Sequence, residues 1–185
     1  MSEPLVIGID PSFTGLGISD GTAHAVFAAP DAEVGEERAA STRRRSVALV
    51  HAVAAWILEH ANCDVLPSDM HVFIEAPMLG ANAGHLYELG FLAAKIDHRL
   101  RQIGIREIVE VPSATLRKFI GLPGNAAKIQ VPVRVLKRFG VEFDGDRGAD
   151  MAFAYVLVRY GRAVLAGDVV HVPTLARGQK ARRGA

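Results

Sequence analysis

Leu5-Val6-Ile7-Gly8-Ile9-Asp10-Pro11-Ser12, followed at once by Thr14-Gly15-Leu16-Gly17-Ile18-Ser19, is the stretch on which the fold turns. Residues 5–9 form the short apolar run of a buried strand, and the run stops on an acid, Asp10. Pro11 and Ser12 lead into a turn. Residues 14–19 then alternate as a second strand does, and Ala23–Ala28 supplies a third. The gaps are too short for a crossover, so the three strands are expected to run antiparallel. An acid at the end of a buried strand stands at the rim of a sheet, where loops and ligands meet.

Working outward, Val50, Val53, Ala54 and Ile57 recur at helical spacing and predict a helix over about 38–60. His71-Val72-Phe73-Ile74 predicts a strand that ends on Glu75 and is stopped by Pro77. Leu89, Ala93, Ile96, Leu100 and Ile103 mark a second amphipathic helix, closed by Gly104. Glu107–Val111 reads as a strand and Pro112-Ser113 as the opening of a short helix to Phe119. A helix to Phe139 must start late or kink at Pro132. Ala149, Ala152, Phe153, Val156, Leu157 and Tyr160 make the last helical stripe. Three hairpin strands followed by alternating helix and strand imply an α/β fold: a mixed sheet, part antiparallel and part parallel, flanked by helices. Residues 1–173 are expected to form one domain, and 174–185 a basic, disordered tail.

Composition narrows the function classes. No stretch of the 185 residues approaches a membrane span, and the start lacks a signal-peptide pattern, so a cytoplasmic protein is expected. Cys63 is the only cysteine, which rules out an intramolecular disulfide and a cysteine metal site. The net charge of +1 says little about a partner. The distribution says more, because arginines cluster at 43–45, at Arg117-Lys118, at 134–138 and in the tail. Arginine's planar fork suits phosphate, although any one cluster could be a solvated helix face.

The acids carry the chemistry. Asp10 and Glu75 end two strands, and Asp144, Asp146 and Asp150 lie before and within the start of the last helix. Taken singly, Asp10 could cap a turn and Asp146 a helix. Three clusters arriving from separate elements are harder to explain that way. Converging carboxylates repel one another unless a cation relieves them. Oxygen-only ligands favour Mg²⁺, with Mn²⁺ able to substitute, and two ions in one site suit phosphodiester hydrolysis.

With these residues in place, the chain resembles the RuvC family of Holliday-junction resolvases, which have an RNase H-like fold with a five-stranded sheet. The opening strand pair, Phe73-Ile74-Glu75, Asn82-Ala83 and Leu89-Gly90 at the family's spacing, and Ala149-Asp150-Met151-Ala152 carry the likeness over residues 5–160. The resemblance implies Asp10, Glu75, Asp146 and Asp150 as metal-holding catalytic acids. It implies Lys128 as a basic group near the scissile phosphate and Arg117 as a phosphate contact, with Lys118 beside it. It also implies four-way junction DNA as substrate, nicked twice by a symmetric homodimer packed through the helix at about 83–103. The family has an aromatic wedge three residues after the glutamate. This chain has Met78 and then Leu79, an apolar pair expected to contact separated bases. The family's two late acids are three residues apart, but Arg147 stands three before Asp150, and Asp146, four before it, is taken as the substitute. Helical spacing favours Asp146 over Asp144.

Three other readings fit parts of this pattern. One is an RNase H-like nuclease for other branched DNA or for RNA hybrids. Another is a non-catalytic junction-binding module, which would share the basic patches without needing the acids. The Asp-Gly-x-Gly-type opening also occurs in actin-like ATPases, but those need a second such domain that 185 residues cannot hold.

Overall fold

The structure is a computed structural model that describes residues 4–60, 65–77 and 83–171. Cys63, Met78, Leu79, Asn82, the side chains of Ala83 and His85, and the basic tail lie outside the described residues.

Among the described residues, five strands and five α-helices follow the order read from the sequence. They are β1 (Val6–Asp10), β2 (Leu16–Ser19), β3 (His24–Phe27), α1 (Arg38–His60), β4 (His71–Glu75), α2 (Ala83–Gln102), β5 (Glu107–Val111), α3 (Ser113–Phe119), α4 (Val131–Phe139) and α5 (Gly148–Leu165). The sheet order is β3-β2-β1-β4-β5. β1, β2 and β3 pair antiparallel, whereas β4 runs parallel to β1 and β5 parallel to β4. The fold is therefore the mixed five-stranded sheet flanked by helices. Pro132 falls in the first turn of α4, where its missing N–H costs no hydrogen bond; a 3₁₀ turn, Lys128–Gln130, precedes it. Among the described residues no helix is long and apolar enough to cross a membrane.

Strand alternation sends β1 into two separate cores. Ile7 and Ile9 join Leu49, Val53, Trp56 and Ile57 of α1 and Leu92, Ile96 and Leu100 of α2 on one face. Val6 joins Phe73, Val111, Leu116, Val135, Phe153 and Leu157 on the other, under α3, α4 and α5. Gly8 shares that second face, and a Cβ there would stand 2.1 Å from the Ala154 carbonyl oxygen. The glycine in the apolar run thus lets α5 lie directly on β1. As a consequence the first turn of α5 arrives beside the end of the strand, where Asp10 stands.

Candidate active site

The parallel register pairs Ile9 with Ile74, so the next residues along, Asp10 and Glu75, emerge side by side at the same rim. Apolar neighbours enforce this placement: a slip of one residue would turn Ile7 and Ile9 out of their core. Asp10 is buried, with 1% of its surface exposed, and Glu75 is half-buried. Burial pushes the Asp10 carboxyl well above the usual carboxylate range, and the neighbouring Glu75 raises it further. Lys128 works against both and does not overcome them.

Lys128 is the centre of the arrangement. Its ammonium donates to Asp10 Oδ2 at 2.5 Å and to Asp150 Oδ1 at 2.7 Å. Burial acts to lower the lysine's pKa, but the two carboxylates outweigh it and hold it above its ordinary value. The ammonium also sits 5.5 Å above the Phe153 ring, which the Arg117 guanidinium approaches at 5.4 Å. Asp150 reaches this point from the first turn of α5. A Cβ on Gly15 would come within 2.2 Å of Asp150 Oδ2, so any side chain at that position in the β1–β2 turn would displace the carboxylate or the turn.

Asp10 and Lys128 open onto a cleft of about 320 Å³ lined also by Ser12, Glu75, Ser113 and Arg117, with Pro11, Ala76, Pro77 and Leu89 as its apolar wall; Asp150 joins the arrangement through Lys128 rather than lining the cleft. Arg117 is oriented by its donation to the Ser113 hydroxyl. Lys118, next along α3, is exposed and does not line the cleft.

Asp146 is the sequence expectation that the structure does not gather in. Helix α5 begins only at Gly148, and its N-cap, Arg147, has φ −113° and ψ 11°, outside the helical range. The spacing argument that tied Asp146 to Asp150 needed a helix through both. Gly145, at φ +83°, turns the chain in the left-handed region just before that start. Asp146 is exposed in that turn and has no side-chain hydrogen bond or ion pair among the described residues; Asp144 is exposed in the preceding loop. Met78 and Leu79 lie outside the described residues.

Two contributors escaped the sequence reading. Ser113 was seen only as a helix opener, yet it is buried, lines the cleft and accepts the Arg117 bond. Arg147 donates to the Thr14 carbonyl and so latches the β1–β2 turn to the start of α5. No spacing rule would have found that contact, because it joins residues 133 apart. Conversely, part of the 43–45 arginine cluster is structural. Arg44 pairs with Glu36 at 2.9 Å, which with its other bonds holds that carboxyl at about 2, and Arg45 donates to the Pro30 carbonyl.

The chain matches no family model and no curated protein. Solved structures do match. A Thermus thermophilus RuvC in complex with Holliday junction substrate superposes with a TM-score of 0.58 at 15% identity, covering 89% of this chain and 96% of that one. A second Thermus thermophilus RuvC structure gives 0.57 at 17% identity, with 88% and 96% covered. The fold is the RuvC-like form of the RNase H-like fold. At this identity the likeness concerns the fold, and the chemistry rests on the cleft itself.

The acids fit a hard divalent cation in kind: Asp10, Glu75 and Asp150 offer only oxygen, and the burial of Asp10 and then its neighbour Glu75 disfavour the Asp10 carboxylate unless a cation joins it. Among the described residues no three such side chains already form a cage for a metal. The Lys128 ammonium instead bridges two of the acids, on a long flexible stem that can rotate away.

Proposed function

We propose that this protein is a Mg²⁺-dependent endonuclease that resolves four-way DNA junctions. The observation that carries this reading is the meeting of Asp10 and Asp150, from a strand and a helix, on one lysine, with Glu75 of the adjacent parallel strand beside Asp10 at the rim of an open cleft. Asp10, Glu75 and Asp150 would hold the ion, with Mn²⁺ as a substitute. Bound there, the ion neutralises phosphate charge and lowers the pKa of water. The chain's own residues do the rest. Arg117, braced by Ser113, binds a non-reacting phosphate oxygen and fixes the strand in the cleft. Lys128, released from the acids, places its ammonium on the scissile phosphate. Asp150, given room by Gly15, presents its carboxylate opposite Asp10.

Two matched nicks in a two-fold symmetric junction call for two clefts, and a homodimer supplies them. The dimer face belongs to α2. Leu92, Ile96 and Leu100 are spent inside the domain, but Tyr87 is 67% exposed and stacks with Phe91, over which Lys95 lies. That outward aromatic stripe supports a second copy docking there.

The test is a labelled synthetic four-way junction incubated with and without Mg²⁺, beside linear duplex and flap controls. Paired symmetric nicks in the junction alone are expected. Equal cutting of flaps would make this a nuclease for branched DNA in general. Tight junction binding without any cleavage would make it a binding module.

A further inference from the structure

Beyond the cleft along α4 and α5 lies an open groove of about 640 Å³ lined by Phe119, Arg138, Phe139, Arg159, Arg162 and Asp168 among others. The Arg138 guanidinium lies 5.3 Å from the Phe119 ring centre and 5.5 Å from that of Phe139. Arg159 stacks on the same Phe139 ring at 4.8 Å. Arg162 is turned partly elsewhere, donating to the Asp20 carbonyl at 3.1 Å. Neither Arg138 nor Arg159 has a carboxylate partner among the described residues, and Asp168 is the lone acid against three arginines in the lining.

Two guanidinium groups gathered on one phenyl ring concentrate positive charge at one place, and the ring faces hold both forks in position. An anion there would neutralise that charge, and guanidinium forks held by aromatic faces are already arranged for phosphate oxygens. We infer that this groove is a second phosphate-binding site, taking the sugar–phosphate backbone of the same nucleic acid that enters the cleft. This rests on the nuclease reading above.

Continuity with the cleft favours nucleic acid over a free anion. Helix α4 starts just after Lys128, in the cleft, and ends at Phe139, in the groove. Between Lys128 and Phe139 the chain carries Lys128, Arg134, Lys137 and Arg138 and no acid at all. Helix α5 also starts beside the cleft, with Asp150 bonded to Lys128, and carries Arg159 and Arg162 further along. At 1.5 Å per residue those arginines lie roughly 14–18 Å along the helix from Asp150, about half a turn of duplex.

The experiment is fluorescence anisotropy of a labelled four-way junction with the full chain, without divalent ion so that no cleavage intervenes, across a salt series. Arg138→Gln/Arg159→Gln should lower the log–log salt slope by about 2, one unit per lost phosphate contact. The affinity gap to wild type should then close about tenfold as salt rises from about 50 to about 200 mM. Arg138→Lys/Arg159→Lys, which keeps both charges, should keep the slope. If the double Gln variant does not fold, the exposed single change Arg138→Glu decides, with a slope reduced by at least about 1 expected. An unchanged slope in a folded variant that has lost these charges overturns this site and leaves the cleft reading standing. A wild-type chain that binds no DNA at all overturns both.

Discussion

The two halves of the cleft are held in different ways. Asp10 and Glu75 end adjacent parallel strands whose register is enforced by Ile7, Ile9, Val72 and Ile74 on one face and Phe73 on the other. The opposite half comes from the entry to α5, where Asp150 lies in a first turn packed so closely on β2 that a Cβ on Gly17 would stand 2.3 Å from its carbonyl oxygen. A strand-borne acid inherits the rigidity of the core beneath it, and Asp150 shares in that through α5. The exposed turn just before the helix does not: among the described residues, the bond from Arg147 to the Thr14 carbonyl is the side-chain contact that ties it to the β1–β2 turn. Sequence periodicity therefore speaks reliably about the first half and only weakly about the second.

The comparison is sharpest where the effect is largest. Asp10→Asn and Glu75→Gln should each lower junction cleavage about a thousandfold or more while leaving binding nearly intact, as expected for groups used only in the chemical step. Single-turnover cleavage beside anisotropy measures both. A folded variant cutting at the wild-type rate would remove that acid from the site.

Next comes Gly15→Ala, which tests the helix-entry half from the sheet side. The new Cβ would meet Asp150 Oδ2 at 2.2 Å, so the carboxylate or the turn must move. Displacement by about an ångström is enough to cost on the order of a hundredfold in cleavage. Unaltered cleavage would show that Asp150 needs no fixed position.

Stability should respond to charge in the strand-borne half, and here the sign is fixed. Asp10's carboxyl titrates above its ordinary value of 3.8 in the folded chain, mainly because of burial and then Glu75. Between those two values the native state binds more protons than the unfolded one, so stability falls as pH rises through that window. Lys128, raised above 10.5, contributes stability that is lost only in the alkaline range, outside that window. Without metal, Asp10→Asn should therefore flatten the fall and melt above wild type at neutral pH. Added Mg²⁺ should raise the Tm of wild type and raise that of Asp150→Asn less. An equal shift in both would place the ion elsewhere.

Much of this was legible in the residues themselves. The alternation Ile7-Gly8-Ile9-Asp10 states which side chains face each core, where α5 can approach and where the acid must stand. The periodicity of α1 and the stop at Glu75 are equally plain, since each follows from burial acting on neighbours in sequence. What stayed hidden depends on contacts between residues distant in sequence. Lys128 read as a group awaiting phosphate, and its grip on Asp10 and Asp150 appears only once three elements are packed together. Arg44 read as part of a phosphate-seeking run, and its partner Glu36 belongs to the loop before α1. Ser113 gained a role only through Arg117, one turn along its own helix.

The smallest effect is expected at Asp146, and it bears most directly on the difference between the halves. Four-residue spacing would set Asp146 on the same face as Asp150 if both were helical. The helix starts at Gly148, and the two residues before it form a turn, so the face is not shared. Asp146 is exposed and makes no side-chain bond among the described residues, so its removal disturbs no packing and strands no buried partner. Asp146→Asn should thus keep cleavage within about a fewfold of wild type, beside the hundredfold loss expected when Asp150 is displaced. Asp144→Asn should behave in the same way, because that residue is also exposed in the entering loop. A near-total loss at Asp146 alone would carry a different lesson. It would mean that the turn at 145–147 winds onto α5 when metal and DNA are bound, adding one helical turn and bringing a fourth carboxylate to the ion. Circular dichroism on adding Mg²⁺ and junction would then show a gain in helix in wild type.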